Sequence, residues 1–108
     1  MFVFSPNCVH CRRNWPAWLE IARGAGQKRV VFVNVGEPLA PEFLRTHNFV
    51  SATVVAKADA QSILSYSLFE VPITLLISDK GRSERVWAGE VDKSRIDDIK
   101  RAIGWRWP

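Results

Sequence analysis

Two cysteines, two histidines, one methionine and one tyrosine are all that this 108-residue sequence holds of those four residue types. A structural zinc site needs four well-spaced ligands, usually in two pairs, and only one cysteine pair is present. No apolar run approaches the length of a membrane span. The opening Met1-Phe2-Val3-Phe4 is apolar but short, and it lacks the basic segment and cleavage site of a signal peptide. There is no polybasic arm and no RNA- or DNA-reading motif, so no nucleic-acid partner is expected. Internal repeats, low-complexity tracts and domain boundaries are absent from the sequence as well.

What is there fits one domain, residues 1–108, with a small core. Hydrophobic residues make up 47% and charged residues 24%, ordinary values for a globular chain. Five tryptophans supply much of the packing material. The net charge of +4 suits an acidic partner or membrane surface only weakly.

Along the chain, Phe2 to Phe4 reads as a short buried strand ended by Ser5-Pro6, because proline cannot donate to a ladder. A helix is expected from about Cys8. Trp15, Trp18, Leu19 and Ala22 share one of its faces. Pro16 removes a backbone hydrogen bond inside it and should kink it. Gly24-Ala25-Gly26 ends it, with glycine free to take a left-handed cap. Val30 to Val33, with Val35, is nearly continuous in apolar residues, as in a strand buried on both faces and parallel to the first. Pro41 suits the first turn of a short helix that stops near Asn48. Val50 to Ala56 is β-rich, a candidate edge strand. Asp59 can cap a helix bearing Ile63, Leu64 and Tyr66. After the apolar loop Leu68-Phe69-Glu70-Val71 comes Pro72, then a strand over Ile73 to Ile77. Asp79-Lys80-Gly81 is a turn signal, and Glu84 to Ala88 returns as a hairpin. Asp92 caps a last helix with Ile96, Ile99 and Ile103 on one stripe, and Gly104 ends it. The class is α/β: a mixed sheet of about four strands, a parallel pair plus an antiparallel hairpin, with helices on both faces.

The chemistry concentrates in Cys8-Val9-His10-Cys11, which follows a strand and opens a helix. Unpaired N–H groups and the helix dipole at an N-terminus favour negative charge. In such motifs they bring a thiol's pKa from about 8.5 to roughly 3.5–7.5. Cys8 is therefore the expected nucleophile. Cys11, one turn further in, is the expected resolving thiol. As a structural disulfide the pair would cross-link almost nothing, since it lies within one helical turn.

Cys8-Val9-His10-Cys11, Pro16 five positions later, and Val71-Pro72-Ile73-Thr74 just before the hairpin together resemble the thioredoxin fold. Within it the chain is similar to the TlpA/ResA group of thioredoxin-like proteins, and somewhat to MauD. Val33-Asn34-Val35-Gly36-Glu37, the insert from Pro38 to Tyr66, and Ile77-Ser78-Asp79-Lys80-Gly81 support this. The resemblance implies a thiol–disulfide oxidoreductase acting on protein thiols and disulfides with an upstream redox partner, as a monomer, with no cofactor and no metal. It implies a cis Val71–Pro72 bond, with Val71's backbone turned toward Cys8 to pair with an extended substrate. It also implies an extracytoplasmic setting, periplasmic or membrane-anchored through an N-terminal anchor outside this sequence; a sequence complete as given would be cytoplasmic. The β and α segments that precede the motif strand in the group are missing here. Asn7 stands where the group has tryptophan, and Asn14 where ResA-like members have glutamate.

His10, next to Cys11 as in the oxidant DsbA, can add a donor or positive charge beside Cys8. That favours oxidant or isomerase character, whereas the group as a whole leans reductant. Alternatively His10 faces solvent. Asn14 cannot accept a proton from Cys11 as a carboxylate would, or it simply hydrogen-bonds locally. Arg12 and Arg13 read as a solvated face, His47 as a surface or helix-end residue and Trp87 as core. Trp105-Arg106-Trp107-Pro108 is expected to dock back on the domain. Two other readings remain: a non-catalytic thioredoxin-fold interaction module, and a metal-binding domain using Cys8, Cys11, His10 and His47.

Overall fold

The computed structural model describes residues 1–26, 30–46 and 53–106. Among these residues nine elements follow one another: β1 (Phe2–Phe4), α1 (Val9–Arg23), β2 (Val30–Asn34), α2 (Pro41–Thr46), β3 (Thr53–Lys57), α3 (Ala60–Ser65), β4 (Ile73–Ile77), β5 (Ser83–Ala88) and α4 (Lys93–Ile103). The strands form one sheet in the order β3-β2-β1-β4-β5. β1 pairs in parallel with β2 and antiparallel with β4, so the shortest strand is the central one. The sheet has five strands where about four were expected. The fifth is β3, which pairs in parallel with β2 from Val30↔Thr53 to Asn34↔Lys57. Its residues are β-prone, but its partner lies across a helical connection, and nothing local announces that pairing.

Alternation along the strands divides the core in two. Phe2, Phe4, Val30, Phe32 and Trp87 face α1 and α4. Val3, Val33, Ile73 and Leu75 face the other way, where Leu68 and, from α3, Ile63 pack on them. On the first face the rings of Phe2 and Trp18 stack at 5.2 Å, Phe4 meets the edge of Trp15 at 5.2 Å, and Phe32 lies 5.0 Å from Trp15. Offset and edge-on contacts of this kind add to plain burial. Trp18 is fully buried, and its indole N–H donates to Thr74 Oγ1 at 2.8 Å, tying α1 to β4.

α1 runs unbroken through Pro16. Its buried side is Cys11, Asn14, Trp15, Trp18, Ile21 and Ala22, so Ile21 takes the deep position expected of Leu19. The cap residue Gly24 is not left-handed (φ −105°); Gly26, two residues on, has φ +66°. α2 begins at Pro41 as expected, while its expected end near Asn48 falls outside the described residues, as does His47. Asp59 and Asp92 cap α3 and α4 by accepting from Ser62 N–H at 2.7 Å and Arg95 N–H at 2.8 Å. Among the described residues no helix is long and apolar enough to cross a membrane.

Trp87 is core, as expected, and its indole N–H donates to Asp98 Oδ2 at 2.9 Å. That bond first, and Arg85 second, hold the Asp98 carboxyl below the usual carboxylate range. Trp105 docks on α1, its indole N–H shared between the carbonyls of Glu20 and Ile21 at 3.1 Å each, with Lys100 Nζ 4.0 Å above the ring. Trp107 and Pro108 lie outside the described residues.

Thr74→Val should leave the Trp18 indole N–H buried without a partner. An unfolding free energy lower by about 1–3 kcal/mol is expected, read from urea denaturation followed by tryptophan fluorescence.

Candidate functional site

β1 delivers the chain to Ser5-Pro6, and the turn after β2 receives it there. Asn34 is buried, accepts from Gly36 N–H at 2.9 Å and donates to Glu37 O at 2.7 Å. A Cβ on Gly36 would sit 2.9 Å from Ser5 Cβ and 3.2 Å from Pro6 Cδ. Glycine is what lets this turn close against the loop that leads into the motif.

Cys8 is the N-cap of α1, with φ −91° and ψ 116°. Its sulfur does the work of a capping oxygen, accepting from Cys11 N–H at 3.2 Å. Two backbone bonds fix the turn, Cys8 N–H to Ser5 O and Arg12 N–H to Cys8 O, both 3.2 Å. Cys8 is half-buried; Cys11, one turn below, is 2% exposed. Both are free thiols here. Burial, and then the contact with Cys8, push the Cys11 thiol up from 9.0 to about 12.

Val71 and Pro72 come to the same place. The Cys8 Sγ–H points to Val71 O at 3.8 Å, across 63 residues of sequence. The Val71–Pro72 bond is cis, and Pro72 is fully buried. Val9 and Asn7 are exposed beside Cys8, as are Arg12 and Arg13 on the outer face of α1.

The two residues expected to tune the cysteines both engage the turn after β5. His10 Nδ1 lies 3.1 Å from Glu90 Oε2, and both side chains are largely exposed. The partner of His10 is therefore a carboxylate 80 residues away, and an ion pair this exposed contributes at most about 1 kcal/mol. Asn14 is 2% exposed, and its Oδ1 accepts from Val91 N–H at 2.6 Å. The bond is not local, and the oxygen is already committed. Its Nδ2 is the one buried side-chain nitrogen or oxygen without a partner among the described residues.

The same turn holds the proline loop. Gly89 N–H donates to Pro72 O at 2.8 Å, with Gly89 at φ +86°, where a side chain would be strained. Arg95, from α4, donates to the carbonyls of Ala88 and Glu90. Residues 89–91 thus fasten α1 to the loop that faces Cys8. The sequence pattern singles out none of Glu90, Val91 and Arg95. No local signal identifies them, because their partners lie far off in sequence. Among the described residues no three His, Cys, Asp or Glu side chains gather where they could hold a metal ion.

No protein-family model matches the chain, and no curated protein sequence does. Among solved structures the chain is similar to StoA from Bacillus subtilis, with a TM-score of 0.68. The match covers 92% of this chain and 78% of that one, at 16% identity. At that identity the likeness is one of fold, and the fold is thioredoxin-like: a mixed sheet flanked by helices on both faces.

Two outcomes follow from this geometry. Asn14→Ala leaves the buried Val91 N–H unpaired, and the domain should lose about 1–3 kcal/mol of stability in urea denaturation. The raised Cys11 thiol gives a pH window. Below about pH 9 folded and unfolded chains both hold its proton; between about 9 and 12 only the folded chain does, so stability is lost as pH rises through that range. Denaturation of the reduced protein from pH 8 to 10.5 should show a steeper fall for wild type than for Cys11→Ser.

Proposed function

We propose that this chain is a thiol–disulfide oxidoreductase that exchanges disulfides with protein substrates through Cys8 and Cys11. The observation that carries the reading is the Cys8 sulfur: it caps a helix, accepts the Cys11 N–H at 3.2 Å, and faces Val71 O at 3.8 Å with the second thiol buried one turn below.

In the reducing direction the Cys8 thiolate attacks one sulfur of a substrate disulfide. A Cys8–substrate disulfide forms, and the other substrate sulfur leaves as a thiolate that takes up a proton. Its charge, like that of Cys8 before it, develops at the N-terminus of α1, where backbone N–H groups point outward. Cys11 then gives up its proton and attacks the Cys8 sulfur. The Cys8–Cys11 disulfide forms and the second substrate thiolate departs. Substrate gains two electrons and two protons; the chain loses the same. The steps reverse in the oxidising direction, and the relative potentials of chain and partner set which way it runs.

Burial of Cys11 keeps it protonated and out of competition until the mixed disulfide forms. Asn14 Oδ1 is committed to Val91 N–H, so the Cys11 proton leaves to another acceptor, such as the departing thiolate or water. Val71's backbone beside Cys8 is the edge on which an extended substrate pairs in this reading. Protein disulfides and an upstream dithiol or disulfide partner are the partners it implies.

Insulin reduction with dithiothreitol tests the proposal. Wild type should accelerate it, and Cys8→Ser should fall to the uncatalysed rate. Cys11→Ser should stall as a mixed disulfide on Cys8, visible as added mass on a non-reducing gel. Equal inactivity of wild type and Cys8→Ser would end the oxidoreductase reading.

A further inference from the structure

Large apolar side chains are exposed at Val9, Leu64, Phe69 and Val86. Phe69 is 67% and Val86 57% exposed, and both line one open cavity of about 540 Å³ with Tyr66, Glu70, Ile73 and Ala88. The fold builds it directly. β5 is the sheet edge, and its side facing away from α1 and α4 carries Val86 and Ala88, with Ser83 beyond a bulge, all exposed. Across from them runs the loop from α3 to Pro72. Leu68 anchors that loop in the second core cluster, with its N–H on Ile63 O at 2.9 Å, and so its neighbour Phe69 is turned outward. Tyr66 is tied to the β4–β5 turn by its hydroxyl, which donates to Gly81 O at 2.6 Å. The apolar walls are held in place before anything binds, which lowers the ordering cost of binding.

Two groove residues are chain neighbours of residues at the cysteine site. Glu70 precedes Val71, whose carbonyl faces Cys8 Sγ at 3.8 Å. Ala88 precedes Gly89, whose N–H holds Pro72 O. Phe69 is two residues from Val71, a span of at most about 7 Å. A strand that pairs with Val71 advances about 3.3 Å per residue, so two to four residues bring it alongside Phe69. The groove carries a carboxylate although the chain is basic overall: Glu70 lines it. Among the described residues Glu70 is not ion-paired.

Building on the oxidoreductase reading, we propose that the Phe69–Val86 groove binds the substrate polypeptide beside its disulfide. Its occupant is an extended segment with a large apolar side chain two to four residues from the attacked cysteine, adjacent to lysine or arginine. Phe69 and Val86 then set specificity, and Cys8 does the chemistry.

Two peptide disulfides test this, one carrying Leu-Lys three residues from its cysteine and one carrying Ser-Ser there. Turnover of each is compared with that of a small aromatic disulfide, 5,5′-dithiobis(2-nitrobenzoate). Wild type should favour the Leu-Lys peptide roughly tenfold in kcat/KM, the worth of burying part of a leucine. Phe69→Ser and Val86→Ser should each erase most of that preference, measured as the ratio of peptide to small-disulfide turnover. Leu64→Ser, an equally exposed substitution outside the groove, should keep it. The proposal is overturned if wild type turns over the small disulfide but shows no peptide preference, or if the groove variants retain the preference. It is equally overturned if they change only the oligomeric state in sedimentation, which would make the groove a contact between copies. Absence of any Cys8-dependent turnover of the small disulfide would instead sink the oxidoreductase reading beneath it.

Discussion

Phe2 and Phe4 put two rings on one side of a three-residue strand, and Trp15, Trp18 and Phe32 close around them. This aromatic seat holds α1 against the centre of the sheet. A helix carried on large, fully buried rings has little freedom to slide, because close-packed interiors leave no space to slide into. The Trp18–Thr74 hydrogen bond adds direction to a contact that burial alone would leave non-directional. The N-terminus of α1, and with it Cys8, is therefore placed by contacts that begin seven residues further along the helix.

The second half of the site reaches Cys8 by a different route. Pro72 is held from behind by Gly89, and residues 89–91 are in turn held by Asn14 and Arg95. The distance between Cys8 and Val71 is thus set at both ends: by α1 on its aromatic seat and by a turn that grips α1 again at Asn14. Asn14 carries this grip with its oxygen while its amide nitrogen stays unpaired. A buried donor without a partner costs stability. Its position one turn below Cys11 puts that cost inside the candidate site.

Sulfur takes a structural part at Cys8 as well as the chemical one proposed for it. By capping α1, Cys8 satisfies one of the backbone donors that a helix leaves open. In the proposed exchange, attack on a disulfide removes nothing from this arrangement, since the same N–H can follow the sulfur into the mixed disulfide. Cys11 is governed by the opposite environment, low in polarity and closed to water. The pair is asymmetric because one cysteine stands at the helix end and the other one turn inside it.

The sequence by itself determined the elements and the motif. The continuous apolar runs Phe2–Phe4 and Val30–Val33, the caps at Asp59 and Asp92, the hairpin turn at Asp79–Gly81 and the cysteine pair at a helix start are all local signals, written in residues within a few positions of one another. Tertiary structure decided what these signals are joined to. The pairing of β3 with β2, Glu90 as the partner of His10, Val91 as the partner of Asn14, and the outward turn of Phe69 beside buried Leu68 each depend on contacts between residues distant in sequence. Hydrogen bonds and packing act through space over a few ångströms, and the chain brings such residues within that range only once the whole sheet has formed.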